Sequence, residues 1–228
     1  MVTHGLTMCF GALEPCDPRY QRELRSFPRD LEVSWHSDHA CFGSVDGVFA
    51  HDLLPLPFTD EAVAVVSQRI SEAQDALGLP VALENVSYYA PMGADPLAEV
   101  DFLNEIPSRT GAKPAVDEQR VREQPELRLR RAPGSTACRP TVWCRCTWST
   151  PGARGRPAHR HARRARARGR LPLLEHTLRR TGDKPILLER DNNIPPLEEQ
   201  LEELRRLAAI VERVRASAVV GAAAEVAR

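Results

Sequence analysis

One pattern recurs in this chain and restricts its fold more than any other. A helix is stopped by glycine, a short apolar strand follows, and the strand ends in a glutamate. Thr59 and Asp60 can cap a helix whose apolar positions Val63, Val66, Ile70, Ala73 and Leu77 keep helical spacing. Gly78 and Pro80 stop that helix, and Val81, Ala82 and Leu83 form a buried strand ending in Glu84. Near the C-terminus, residues 171–180 predict a second helix, stopped by Gly182, and residues 185–188 predict a strand ending in Glu189. A loop over 192–196 leads into a long helix from Leu197, with Leu201, Leu204, Ala208 and Val211 on one face. Its heptads are too few for a coiled coil, so that face is expected to pack against the α/β body. Strands alternating with helices predict an α/β chain with a parallel sheet.

Between these units the texture changes. From residue 114 to 170 apolar periodicity fades and Arg, Pro, Ala and Gly dominate, which reads as a basic segment without a core of its own. Phosphate contacts from such a segment would suit nucleic acid, but Trp143 and Trp148 are its only aromatic residues and no nucleic-acid fold signature is present. Nucleic-acid binding is therefore the weaker reading. Lys+Arg and Asp+Glu number 31 each, so whole-chain charge points to no partner. No apolar run is long enough to cross a membrane, and residues 1–11 lack the basic start of a signal peptide, so a cytoplasmic chain is expected. The six cysteines, at 9, 16, 41, 138, 144 and 146, lack CxxC spacing and read as separate reduced thiols.

Two sets of residues carry candidate chemistry. In a parallel barrel the C-terminal strand ends open onto the active face, and a carboxylate there is placed for metal binding or acid–base work. A solvated strand-end glutamate is the commoner case for either residue alone, but Glu84 and Glu189 occupy equivalent places in two units. The second set is His36, His39 and His51, within a stretch whose Ser37, Asp38, Gly43 and Gly47 favour a loop. Imidazole with carboxylate suits iron, manganese or zinc, and Asp38 and Asp52 could orient the rings. On spacing alone these are slightly more often ordinary loop histidines.

Five motifs then stand in order: HGLTMCFG (4–11), WHSDHACFG (35–43), HDLLPLPFT (51–59), LENVSYY (83–89) and LLERDNNIPPLEEQL (187–201). Together they resemble the multinuclear non-heme iron oxidases of methanobactin and thiaglutamate biosynthesis, long described as a domain of unknown function. The resemblance covers residues 3–117 and 171–210. It implies a TIM barrel, (β/α)8, of the xylose-isomerase-like type, incomplete in this chain. It also implies two or three iron ions with dioxygen as co-substrate, a ribosomally made precursor peptide oxidised at cysteine, and a peptide-binding partner protein. Carried over motif by motif, His39, His51, Glu84 and Glu189 are implied metal ligands. Asp117 joins them through the strand TGAKPAVD (110–117), and the role of His4 stays open.

The family's Asp-Val-Asn-Asn, His-Leu-Ala-Gly-His and Asp-Thr-His motifs are missing from the middle. Codons for residues 118–131, read one base later, permit Asn-Asn-Ala-Tyr-Val-Asn-Ser-Gln-Asn-Phe-Gly-Phe-Asp, as the family has there. The same shift over 158–166 permits Leu-Ile-Asp-Thr-His-Asp-Ala-Pro-Val, and a two-base shift over 143–148 permits Val-Gln-Val-His-Leu. The expected organisation is thus an N-terminal barrel part over 1–117 without its opening strands, an out-of-frame Arg-rich segment over 118–170 without regular structure, and C-terminal barrel elements over 171–228. An impaired or inactive oxidase is the expected function. The rivals are another metal-dependent barrel enzyme, isomerase-like or endonuclease IV-like, and a non-enzymatic basic nucleic-acid binder.

Overall fold

A computed structural model describes residues 1–46, 48–86, 88, 92–93, 96–117, 146–148, 170–189 and 194–226. Strand β1 (Thr3–His4) leads to helix α1 (Pro18–Leu31) and strand β2 (His36–His39). Strands β3 (Phe42–Val45) and β4 (Val48–Leu54) precede α2 (Asp60–Leu77), β5 (Val81–Glu84), α3 (Glu99–Thr110) and β6 (Lys113–Asp117). Strand β7 (Cys146–Trp148), α4 (Arg170–Thr181), β8 (Ile186–Leu188) and α5 (Leu197–Val226) complete the order. The sheet runs β1-β2-β5-β6-β7-β8, and every neighbouring pair in it is parallel. The chain is therefore a mixed α/β protein built on a parallel sheet. Strands β3 and β4 form a separate antiparallel hairpin.

Helix α2 forms where its sequence predicts. Thr59 accepts a hydrogen bond from the Ala62 N–H at the N-cap. Gly78 closes the other end in the left-handed conformation, φ 68°, donating to the Gln74 carbonyl. Its buried positions include Val63, Val66, Ile70, Ala73 and Leu77. The Gln74 side chain also accepts from the Val81 N–H, tying the helix end to the start of β5.

Register decides what each face of the sheet carries, because partners on parallel strands point the same way and alternate along the chain. Val81 and Leu83 pack with Val63, Val66, Ile70, Phe102 and Ile106 under α2 and α3. Val116 packs with Leu174, Leu178, Leu207, Ile210 and Val214 under α4 and α5, with Ile186 and Leu188 alongside. The helices thus cover one face. The opposite face carries Trp35, Ala82 and Ala115 in a small apolar layer, and above it stand the strand-end polar residues.

Three expectations change. The stretch around His36 and His39, expected as a loop, is strand β2 followed by a hairpin, and all four residues of β2 are buried. Four consecutive polar residues show no apolar alternation, so the strand is invisible to hydrophobic patterning. Hydrogen bonds with Thr3, His4 and Met8 meet part of its polar demand, while His36 Nε2 and His39 Nδ1 are buried without a hydrogen-bond partner among the described residues. In α5 the buried positions are Leu207, Ile210 and Val214, while Leu201 and Leu204 are 40% and 44% exposed. Two neighbouring apolar stripes share that helix, and contact with Leu174 and Leu178 of α4 selects between them. Within the stretch expected to lack regular structure, Cys146–Trp148 forms a strand paired with β6 and β8. The rest of 118–169 lies outside the described residues. Cys9, Cys16 and Cys41 are free thiols, as expected, and no described helix is long and apolar enough to cross a membrane.

Candidate metal centre

His4, His39 and Glu84 are the last residues of β1, β2 and β5. Register pairs His4 with Ser37 and His39 with Glu84, which sets all four on the face away from the helices. One donor atom from each of His4, His39 and Glu84 lies within 4.8 Å of the others, the one such group among the described residues. The His4 Nε2 is 3.8 Å from Glu84 Oε2. The two imidazoles meet edge to face, their centroids 4.6 Å apart. Glu84 is 3% exposed and His39 8%, so the donors sit at the bottom of the strand-end surface.

The polar strand β2 supplies the support. Ser37 Oγ is 2.8 Å from His4 Nδ1 and donates to the Thr3 carbonyl. Asp38 accepts the Met8 N–H on Oδ2 and the His39 N–H on Oδ1, and its Oδ1 lies 3.4 Å from His39 Nδ1. Burial is the largest single influence on the His39 imidazole and disfavours its charged form. Asp38, Glu84 and Glu189 together outweigh it, leaving the His39 pKa above its ordinary value. His36 points to the other face, its Nδ1 paired with Thr3 Oγ1. There burial holds its pKa below the ordinary value against the pull of Asp38. Gly5 passes close over both residues: a Cβ built on it would lie 2.5 Å from Asp38 Oδ2 and 3.1 Å from the His36 ring.

The structure brings two of the five sequence-predicted ligands, His39 and Glu84, into this cluster. Glu189, one residue past β8, is near enough for its charge to act on His39. Asp117 ends β6 on the same face of the sheet. It is held by Asn85, whose side chain accepts the Asp117 N–H at 2.9 Å and reaches its carbonyl at 3.4 Å. That amide acts as one more rung between β5 and β6. His51 stands outside the cluster, exposed on β4 with φ 54°, where the hairpin register is irregular. His4 carries a role the sequence left open. It is a strand-end residue like the two glutamates, but its strand is two residues long and shows no apolar run.

Two imidazoles and a carboxylate on converging strand ends form a nitrogen–oxygen donor set of the kind used by iron, manganese and zinc. The donors come from rigid elements, and Ser37 and Asp38 brace the rings behind them.

Comparison with known proteins places the chain in a family. A family model described as "RiPP precursor modification enzyme MbnB/TglH/ChrH" matches residues 1–121 and 160–212, breaking off within the Arg-rich stretch. A UPF0276 protein of Anaeromyxobacter sp. strain Fw109-5 is 32% identical over 229 residues, covering 97% of this chain and 79% of that protein. A UPF0276 protein of Rhizorhabdus wittichii is 30% identical, covering 89% and 73%. One from Caulobacter vibrioides is 43% identical over 108 residues, 47% of this chain and 39% of its own length.

Proposed function

The chain belongs to the RiPP precursor modification enzyme family MbnB/TglH/ChrH, and on that premise we propose that it is an iron-dependent oxidase. Its substrate is a cysteine-containing, ribosomally made precursor peptide, presented by a peptide-binding partner protein. The observation that carries this is the group of half-buried His4 with buried His39 and Glu84 at the C-terminal strand ends. A parallel sheet with helices on one face and polar strand ends on the other supports a (β/α)8 barrel of xylose-isomerase-like type, whose active face is that same edge.

His4, His39 and Glu84 would hold the metal, with Glu189, Asp117 and His51 as further ligands of a centre of two or three ions. Iron, when bound, supplies redox chemistry with dioxygen as co-substrate. The protein's own part is to fix the donors. β2 and β5 set His39 beside Glu84, Ser37 and Asp38 brace the two rings, and Ala82 and Ala115 close the site from below. The Glu84, Asp117 and Glu189 carboxylates give this edge a negative character that attracts a cation. The proposed compartment is the cytoplasm, where a ribosomally made peptide is at hand.

Residues 118–170 are proposed to be out of frame, which removes ligands and impairs the enzyme. The test is co-expression with a cysteine-containing precursor peptide and partner, with iron analysis and peptide mass spectrometry. The chain as written is compared with a version whose frame is restored over 118–170. The restored protein should carry iron and change the peptide mass in an oxygen-dependent way; the chain as written should bind iron only weakly and leave the peptide mass unchanged. Equal modification by both would remove the impairment, and manganese or zinc with no oxygen dependence would turn the assignment to another metal-dependent barrel enzyme.

A further inference from the structure

We propose that Ser37 is a positioning residue that fixes the tautomer of His4, so that the Nε2 lone pair of that ring is aimed at the site. This deepens the metal-binding reading and rests on it for its purpose, though not for its geometry. Ser37 is the register partner of His4 on the neighbouring strand. Its Oγ lies 2.8 Å from His4 Nδ1. A hydroxyl has one proton to give, and here it goes to the Thr3 carbonyl, 3.2 Å away. The Thr3 carbonyl can only accept, whereas Nδ1 can donate or accept, so both contacts are hydrogen bonds only when the Ser37 oxygen accepts from a protonated Nδ1.

In the neutral ring that leaves Nε2 as a lone pair, and Nε2 faces Glu84 Oε2 at 3.8 Å. Two electron-rich atoms at that separation repel each other unless a cation lies between them. The distance is also long for a direct N–H···O hydrogen bond, which is what the opposite tautomer would be expected to form. Ser37 thus converts an imidazole that could pair with Glu84 into one that shares a cation with it. His39 gets similar support from Asp38, but with a longer contact of 3.4 Å. A serine is the fitting residue at position 37. It is short enough to sit within a fully buried strand, and unlike a carboxylate it adds no charge beneath the centre.

The experiment uses the full chain, prepared free of metal and labelled with nitrogen-15 at histidine. His4 is assigned by comparison with His4→Gln. Long-range proton–nitrogen spectra should give His4 as the Nδ1–H tautomer in the parent protein and in Ser37→Thr. In Ser37→Ala the ring should become a mixture of tautomers. Cobalt(II) titration should then show affinity lowered roughly 10–100-fold in Ser37→Ala, with Ser37→Thr close to the parent. An Nε2–H tautomer in the parent protein overturns the proposal, whether or not any variant folds. So does a His4 tautomer unchanged in Ser37→Ala. Failure of the parent to bind cobalt(II), with the Nδ1–H tautomer present, overturns the metal-binding reading and supports the tautomer assignment.

Discussion

His39 and Glu84 are register partners on adjacent parallel strands, the last residue of β2 beside the last residue of β5. Strand pairing alone brings an imidazole and a carboxylate to the same height on the same face. Glu84→Gln keeps the shape and removes the charge, so it should lower cobalt(II) or iron(II) affinity by more than about 100-fold, beyond what a supporting residue contributes. Equilibrium dialysis against the metal alone, with circular dichroism to check the fold, measures this.

Gly5→Ala should destabilise the protein by about 1–3 kcal/mol, the usual cost of forcing atoms into a packed interior. The new Cβ would lie 2.5 Å from Asp38 Oδ2, and Asp38 cannot yield freely because it holds the Met8 and His39 amides. Urea midpoints for the two proteins give the comparison.

The α5 stripe is tested by two truncations. Ile210→Ala removes a 2% exposed side chain from the cluster with Leu174 and Leu178 and should cost about 2–5 kcal/mol. Leu204→Ala, at a 44% exposed position, should stay within about 0.5 kcal/mol of the parent. Equal losses at both positions would place the contact stripe differently.

Alkaline pH should weaken the fold through its thiols. Burial raises the pKa of Cys9 and Cys41, and pushes that of Cys16 up to about 11. Above the ordinary thiol pKa of about 8.5 the unfolded chain releases these protons first, so the native state binds more protons and stability falls as pH rises. For Cys16 the loss develops upward from the ordinary thiol range and is complete once pH passes about 11. Urea midpoints at pH 8 and pH 10.5 should differ less in Cys16→Ala than in the parent.

Much of this architecture is legible in the sequence, and the exceptions share a cause. Helix α2 could be read residue by residue because its apolar spacing, its threonine cap and its glycine stop all agree. Strands β5 and β8 could be read because short apolar runs end in glutamate. Strand β2 could not, since His-Ser-Asp-His has no apolar alternation and owes its strand form to neighbours on β1 and β5. The role of His4 stays open in the sequence for the same reason, its strand being two residues long with no apolar run. For α5, periodicity revealed the helix, but only the partner α4 reveals which of two apolar stripes is buried. His51 enters the proposed ligand set through its motif alone, since it stands on an exposed, irregular hairpin strand outside the cluster of His4, His39 and Glu84.

His4, His39 and Glu84 come from three strands that are far apart in the chain and meet only when β1, β2 and β5 have paired. In the extended chain these donors are strangers, so an ion gripping all three holds the native topology and none of its precursors. Binding energy of an ion at this proposed centre would therefore be folding energy, and it would arrive late, because pairings between distant strands are the slow part of assembling such a sheet. On the proposed metal-binding role, chains made without the ion would linger as unpaired strand edges, the form in which such sheets aggregate.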